Sequence, residues 1–158
     1  MLKTILPDEN ATLSLGAALA RGLAPGLVVF LHGELGAGKT TVVRGALRAL
    51  GFQGRVKSPS YSLVELYEVS RLNVHHFDFY RFQDPREWAD AGFRDSFNGQ
   101  NVSLVEWPEK ATGVLPPADL EITLDIQDTG RLAHLAATTP AGTRCLEAIA
   151  KHFPPGTA

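Results

Sequence analysis

The sequence predicts an α/β domain with a mixed sheet: parallel strands around a glycine-rich loop, with antiparallel hairpins added beside them. Three observations carry this. Leu27-Val28-Val29-Phe30-Leu31 is a continuous apolar run with β-branched members, the pattern of a strand buried on both faces. It leads into Gly33-Glu34-Leu35-Gly36-Ala37-Gly38-Lys39-Thr40, after which Thr41 to Leu50 alternates apolar and basic residues at helical spacing and stops at Gly51. Farther along, Tyr61 to Val69 and Leu72 to Tyr80 are separated only by Ser70-Arg71. That link is too short for a parallel crossover, so the two segments form an antiparallel hairpin.

The remaining elements follow in order. Residues 2–6 read as a short edge strand, and Asp8 as the N-cap of a helix from Glu9 to Leu23 with Leu13, Ala17, Ala20 and Leu23 on one face. The strand–loop–helix unit spans residues 26–51. Asp84-Pro85 opens a helical stretch to Ala91, with Pro where a first turn tolerates it, and a shorter helical piece covers Phe93 to Phe97. Val102-Ser103-Leu104-Val105-Glu106 is a buried strand ending in a carboxylate. After the break at Pro116-Pro117, Leu120 to Ile126 and Leu132 to Thr138 alternate cleanly and join around Asp128-Thr129-Gly130 as a second hairpin. Pro140 begins a final helix, and the chain from Phe153 frays. Residues 1–153 are expected as a single domain and 154–158 as a disordered tail.

With 158 residues, 44% of them hydrophobic and 20% charged, the chain can bury a core without disulfides or metals. A formal charge of −2 provides no electrostatic footprint for nucleic acid, so any link to RNA runs through partner proteins. Cys145 is the single cysteine, which excludes an intrachain disulfide and fits a reducing cytoplasm; its expected role is a small buried apolar residue. No apolar run approaches membrane-spanning length, and Pro7, Asp8 and Glu9 interrupt the first apolar stretch, which excludes a signal peptide there.

The glycine-rich run has the pattern of a phosphate-binding loop, and its context of strand before and helix after is the one this motif needs. Gly36 and Gly38 allow positive φ, so backbone N–H groups from Gly36, Ala37, Gly38, Lys39, Thr40 and Thr41 can face phosphate oxygens at the positive end of the helix dipole. Lys39 supplies a cation for the β- and γ-phosphates, and the Thr40 hydroxyl is a hard oxygen ligand suited to Mg²⁺. The expected ligand is ATP or ADP with Mg²⁺, on a P-loop NTPase-like fold.

Hydrolysis also needs carboxylates at the γ-phosphate. Glu106 emerges at the carboxyl end of its strand, where ligands sit in open α/β sheets; it can bind Mg²⁺, hold a metal-bound water or orient the attacking water. In His76-Phe77-Asp78-Phe79-Tyr80-Arg81 a period of two puts His76, Asp78 and Tyr80 on one face and Phe77 and Phe79 on the other. Asp78 is thus a candidate to orient or deprotonate water, with a structural hydrogen bond to the hairpin as the alternative. Ser58-Pro59-Ser60-Tyr61 carries hydroxyls on a segment stiffened by Pro59, which can close over the γ-phosphate or merely join loop to strand. Adjacent His75 and His76 point to opposite faces and do not form a metal pair. Trp107 is a core or rim aromatic, or a contact for base or partner; Arg131 is a solvated hairpin cation, or one that reaches phosphate or base.

Taken together, Gly33–Thr40, Ser58-Pro59-Ser60-Tyr61, His76–Arg81 and Leu104-Val105-Glu106-Trp107-Pro108-Glu109 resemble the TsaE (YjeE) family, over roughly Pro7 to Ala137. The resemblance implies a small ATPase of bacterial tRNA threonylcarbamoyladenosine synthesis, weak alone and dependent on TsaB and TsaD. It implies that ATP hydrolysis resets that complex for further turnover and does not drive the transfer itself. It places Thr40 and Glu106 on Mg²⁺, makes Asp78 necessary for activity, and puts Asp8 and Arg131 near nucleotide. Catalytic roles thus fall to Asp78, Glu106 and Lys39. One departure is Ser60, where the family usually has Thr; the hydroxyl is kept and a methyl lost. Two other readings exist: a small P-loop kinase, for which Arg81, Arg86 and Arg94 offer cations but sit in a helical stretch with no obvious lid, or an ATP-binding scaffold that does not hydrolyse. A GTPase reading ranks below both, for the chain has neither an Asn/Thr-Lys-x-Asp segment for guanine recognition nor an Asp-x-x-Gly switch.

Overall fold

The computed structural model describes residues 1–90 and 92–153. Ala91, the expected end of one helix, and the expected tail 154–158 lie outside the described residues. The elements are β1 (Leu2–Leu6), α1 (Glu9–Ala20), β2 (Val28–His32), α2 (Lys39–Ala49), β3 (Val64–Val69), β4 (Leu72–Asp78), α3 (Pro85–Asp90), β5 (Val102–Glu106), β6 (Leu120–Gln127), β7 (Gly130–Ala137) and α4 (Pro140–His152), with 3₁₀ turns at Phe93–Ser96 and Pro108–Ala111.

The strands form one seven-stranded sheet in the order β1-β7-β6-β2-β5-β4-β3. The four central strands, β6, β2, β5 and β4, are mutually parallel. Both flanks are antiparallel: β3 pairs with β4, while β7 pairs with β6 and then carries β1 at the far edge. The mixed α/β sheet expected from the sequence is therefore present, with parallel strands around the loop and a hairpin on each side. Ser70 and Arg71 close the β3–β4 hairpin with φ of +48° and +66°, the left-handed pair that a two-residue turn requires.

Two cores sit on opposite faces. Val29, Leu31, Leu104, Ile122 and Leu135 point to an aliphatic core shared with α1, α2 and α4. Phe77, Phe79, Phe82, Trp88, Phe93 and Val105 form an aromatic core on the other face, beneath α3 and the 3₁₀ turns. The alternation in β4 anticipated this split, with Val74 in the first core and Phe77 in the second.

Boundaries shift where local chemistry intervenes. The helix expected to reach Leu23 ends at Ala20, because Gly22 packs against α4, where a Cβ would lie 2.7 Å from Cys145 Sγ. The strand expected from Tyr61 begins at Val64, since Leu63 has φ +71° and its N–H donates to Pro59 O at 2.7 Å. Strand β4 ends at Asp78, not Tyr80, where Phe79 N–H turns to Glu106 O at 3.1 Å. The helix after the loop starts at Lys39, two residues earlier than the periodicity suggested. Phe153, expected in the frayed end, instead packs on the aliphatic core.

The two helices nearest the loop meet through glycine. A Cβ on Gly16 of α1 would stand 2.2 Å from Val42 O, and one on Gly45 of α2 would stand 2.2 Å from Leu13 O. The backbones of α1 and α2 therefore lie closer than any side chain would permit. Gly45→Ala gains up to about 1 kcal/mol in helix propensity, but forcing a methyl against a backbone carbonyl typically costs about 1–3 kcal/mol. The expected outcome is net destabilisation, read as a lower urea midpoint at unchanged slope. Cys145 is buried, and loss of hydration, aided by Asp119, pushes its thiol up to about 12. A thiol reagent at pH 8 should modify the folded chain at least about 100-fold more slowly than the urea-unfolded chain.

Candidate functional site

The loop after β2 is shaped by its glycines. Gly36 has φ +80° and Gly38, at the N-cap of α2, has φ +110° with no side-chain cap bond. At Gly38 a Cβ would also be only 3.3 Å from Thr12 Cγ2, so the position is closed by geometry and by space. Helix α2 thus presents backbone N–H groups without a side-chain acceptor, which suits an anion. Lys39, the first residue of α2, is 4% exposed. Its Nζ donates to Gly33 O and, at 3.2 Å, to Glu34 O, and lies 3.8 Å from the centre of the Trp107 ring. Desolvation lowers its pKa from the ordinary lysine value, while Glu106, Asp78 and Glu109 act in the opposite sense.

Parallel pairing delivers the carboxylates. Strands β4 and β5 end side by side, with Asp78 opposite Glu106, and Leu31 of β2 is on the other side of Glu106. Both carboxylates are nearly fully buried. Glu106 Oε2 accepts the Thr40 hydroxyl at 2.9 Å and lies 2.6 Å from His76 Nε2. Asp78 accepts the Ser58 hydroxyl through Oδ2 and the Tyr80 N–H through Oδ1 at 2.8 Å. Thr40 donates its hydrogen to Glu106, so its oxygen lone pairs remain available to a cation. A hydroxyl and a carboxylate with hard oxygen donors side by side fit Mg²⁺.

These groups meet in a cavity of about 550 Å³ lined by the loop, Lys39, Thr40, Thr41, Ser58, Ser60, Asp78, Glu106 and Trp107. Thus Asp78, Glu106, Lys39 and Thr40 converge, and Ser58 and Ser60 stand with them. Trp107 is a rim aromatic: it has φ +56°, packs at 5.0 Å from the Tyr80 ring, and covers Lys39. Of Arg81, Arg86 and Arg94, only Arg81 lines this cavity; it stacks 4.4 Å from the Tyr61 ring. Arg86 is an exposed partner of Asp84, and Arg94 lines a separate cavity beside Trp88.

A second cavity of about 340 Å³ lies on the outer side of the same loop, sharing Gly36, Ala37, Gly38 and Thr41. Its far wall brings together Asp8, Thr12, Thr129 and Arg131. Asp8 is the N-cap of α1, its Oδ1 accepting Ala11 N–H at 2.8 Å. The Arg131 guanidinium is engaged by carbonyls of the loop, Ala37 O at 2.9 Å and Gly36 O at 3.0 Å, and by Gly130 O at 2.8 Å. It therefore braces the loop from outside while facing this cavity.

Sequence reasoning missed the contribution of His76. Its face was read correctly, opposite to that of His75, whose ring lies 6.3 Å from Phe77. The period of two set His76 on the face of Asp78, but its contact with Glu106 follows from the register of β4 on β5. Thr12 and Thr129 carried no signal, because they come from a helix and a turn that only the fold brings together.

Comparison with protein-family models matches residues 6–133 to "Threonylcarbamoyl adenosine biosynthesis protein TsaE". The tRNA threonylcarbamoyladenosine biosynthesis protein TsaE of Haemophilus influenzae is 42% identical over 153 residues, covering 94% of this chain and 97% of the relative. The protein of the same name from Bacillus subtilis is 38% identical over 123 residues, covering 77% and 75%. Among solved structures, Bacillus subtilis YdiB superposes with a TM-score of 0.81 at 29% identity, covering 96% of this chain and 95% of that one. On this evidence, which agrees with the motifs and the fold, the chain belongs to the TsaE family of tRNA threonylcarbamoyladenosine biosynthesis.

Proposed function

We propose that the chain is an Mg²⁺-dependent ATPase that works with TsaB and TsaD in tRNA threonylcarbamoyladenosine formation, meeting tRNA only through that complex in the cytoplasm. In this reading ATP hydrolysis resets the TsaB–TsaD assembly for further turnover. The observation that carries it is the convergence of Lys39, Thr40, Asp78 and Glu106 in one cavity at the N-terminus of α2.

The triphosphate lies along the loop, its oxygens on backbone N–H groups from Gly36 to Thr41. Lys39 leaves the carbonyls of Gly33 and Glu34 to meet the β- and γ-phosphates, a neutralising exchange of weak acceptors for strong ones. Thr40 and Glu106 hold Mg²⁺, which when bound neutralises charge on the β- and γ-phosphates. Asp78, fixed by Ser58 and the Tyr80 N–H, orients or deprotonates the attacking water. The base and ribose occupy the second cavity, between Asp8 and Arg131. A kinase reading has less support, because of the three arginines only Arg81 lines this cavity.

Phosphate release by the purified chain, with and without TsaB and TsaD, tests this directly. The rate should rise strongly with the partners. Asp78→Ala should keep nucleotide binding but lower the partner-stimulated rate by about 100-fold or more; a normal rate would make Asp78 structural. Lys39→Ala should abolish triphosphate binding or turnover. Bound ATP without phosphate release in the presence of partners would establish a scaffold instead.

A further inference from the structure

His76 is the most buried polar side chain beside the cavity, and it does not line it. It is fully enclosed, on β4 one row behind the Asp78–Glu106 pair, opposite Leu104 of β5. Its Nε2 is 2.6 Å from Glu106 Oε2, the same oxygen that accepts the Thr40 hydroxyl. A carboxylate oxygen only accepts, so Nε2 carries the proton in this contact. Its other ring nitrogen, Nδ1, is buried with no hydrogen-bond partner among the described residues.

That arrangement is costly for packing alone. An unmatched buried nitrogen costs about 1–3 kcal/mol, whereas leucine would fill a comparable volume next to Val74 and Leu104 with no such penalty. What sets His76 apart is the contact its other nitrogen makes with Glu106. Glu106 lies at a strand end, and the donors Thr40 in front and His76 behind fix the same carboxylate oxygen.

We propose that His76 is a positioning residue: by donating from Nε2 to Glu106 Oε2 it holds that carboxylate in register with the Thr40 hydroxyl, so that the two oxygen donors are preorganised for a divalent cation. This rests on the assignment of Thr40 and Glu106 to Mg²⁺ made above. The role is that of an outer partner of a metal-ligating carboxylate, where loss of the partner commonly lowers metal affinity by 10–100-fold. His76 touches neither nucleotide nor water in this scheme; it acts through Glu106.

The test is the half-saturating Mg²⁺ concentration for tight binding of a non-hydrolysable ATP analogue (AMP-PNP), measured by calorimetry on the full chain without partners. Wild type, Glu106→Gln, His76→Leu and His76→Gln are compared, and thermal melting without nucleotide checks that each is folded. His76→Leu should raise the half-saturating Mg²⁺ by about ten-fold or more and leave metal-free binding of the analogue unchanged. His76→Gln, whose amide can donate from a similar position, should recover most of the loss. If His76→Leu does not fold, His76→Met, which also lacks an N–H, takes its place. Equal Mg²⁺ titrations for wild type and the donor-free variant would overturn the proposal, as would equal loss in the donor-free and Gln variants. A wild type indifferent to Mg²⁺, or a Glu106→Gln variant that titrates like it, would instead bring down the metal assignment itself, and the role of His76 with it.

Discussion

Parallel pairing of β2, β5 and β4 is the constraint on which the rest of the structure depends. It brings their carboxyl ends to one end of the sheet, so Leu31, Glu106 and Asp78 stand in register there, near the start of α2. An antiparallel neighbour in place of β5 would carry its last residue to the opposite end, and Glu106 would leave the loop. Antiparallel strands are confined to the flanks, where they extend the sheet without disturbing this row.

The two cores fix that row from both faces. Aliphatic side chains hold the central strands against α1, α2 and α4, while Phe77 and Phe79 anchor β4 in the aromatic core opposite. The Phe77 and Phe79 rings are stacked at 5.5 Å, and Phe97 stacks on Phe77 at 5.2 Å. Asp78 stands between two residues locked in that core, so its backbone is set by apolar packing although its side chain serves polar chemistry. Asp119 makes a similar seam at the start of β6: its carboxylate accepts Val28 N–H at 2.8 Å and the Thr139 hydroxyl at 2.7 Å, tying β2 to the cap of α4.

Much of this was legible in the sequence because strong local signals agreed with the global fold. The loop, the two hairpins and the alternation in β4 needed no long-range information. Asp78 and Glu106 could be placed together because each ended or interrupted an apolar strand. Boundaries failed where a distant contact decided them: α1 stops early because Gly22 fits under Cys145, a residue far along the chain. Arg131 illustrates a different limit. Its place on the hairpin was evident, but its bonds to the carbonyls of Gly36 and Ala37 depend on β6 pairing with β2, which no local pattern specifies. His76 was assigned to the right face, yet the identity of its partner came only from the register of β4 on β5.

The paired glycines of α1 and α2 have a mechanical consequence. With Gly16 against Val42 O and Gly45 against Leu13 O, no side chain separates the two helices at these points. Helix α1 starts at Asp8 on the outer cavity, and α2 starts at Lys39 in the inner one. At these two points the helices meet backbone to backbone, so a change of rotamer there cannot take up a shift of one against the other. The two cavities are thus flanked by helices whose mutual spacing is set by glycine.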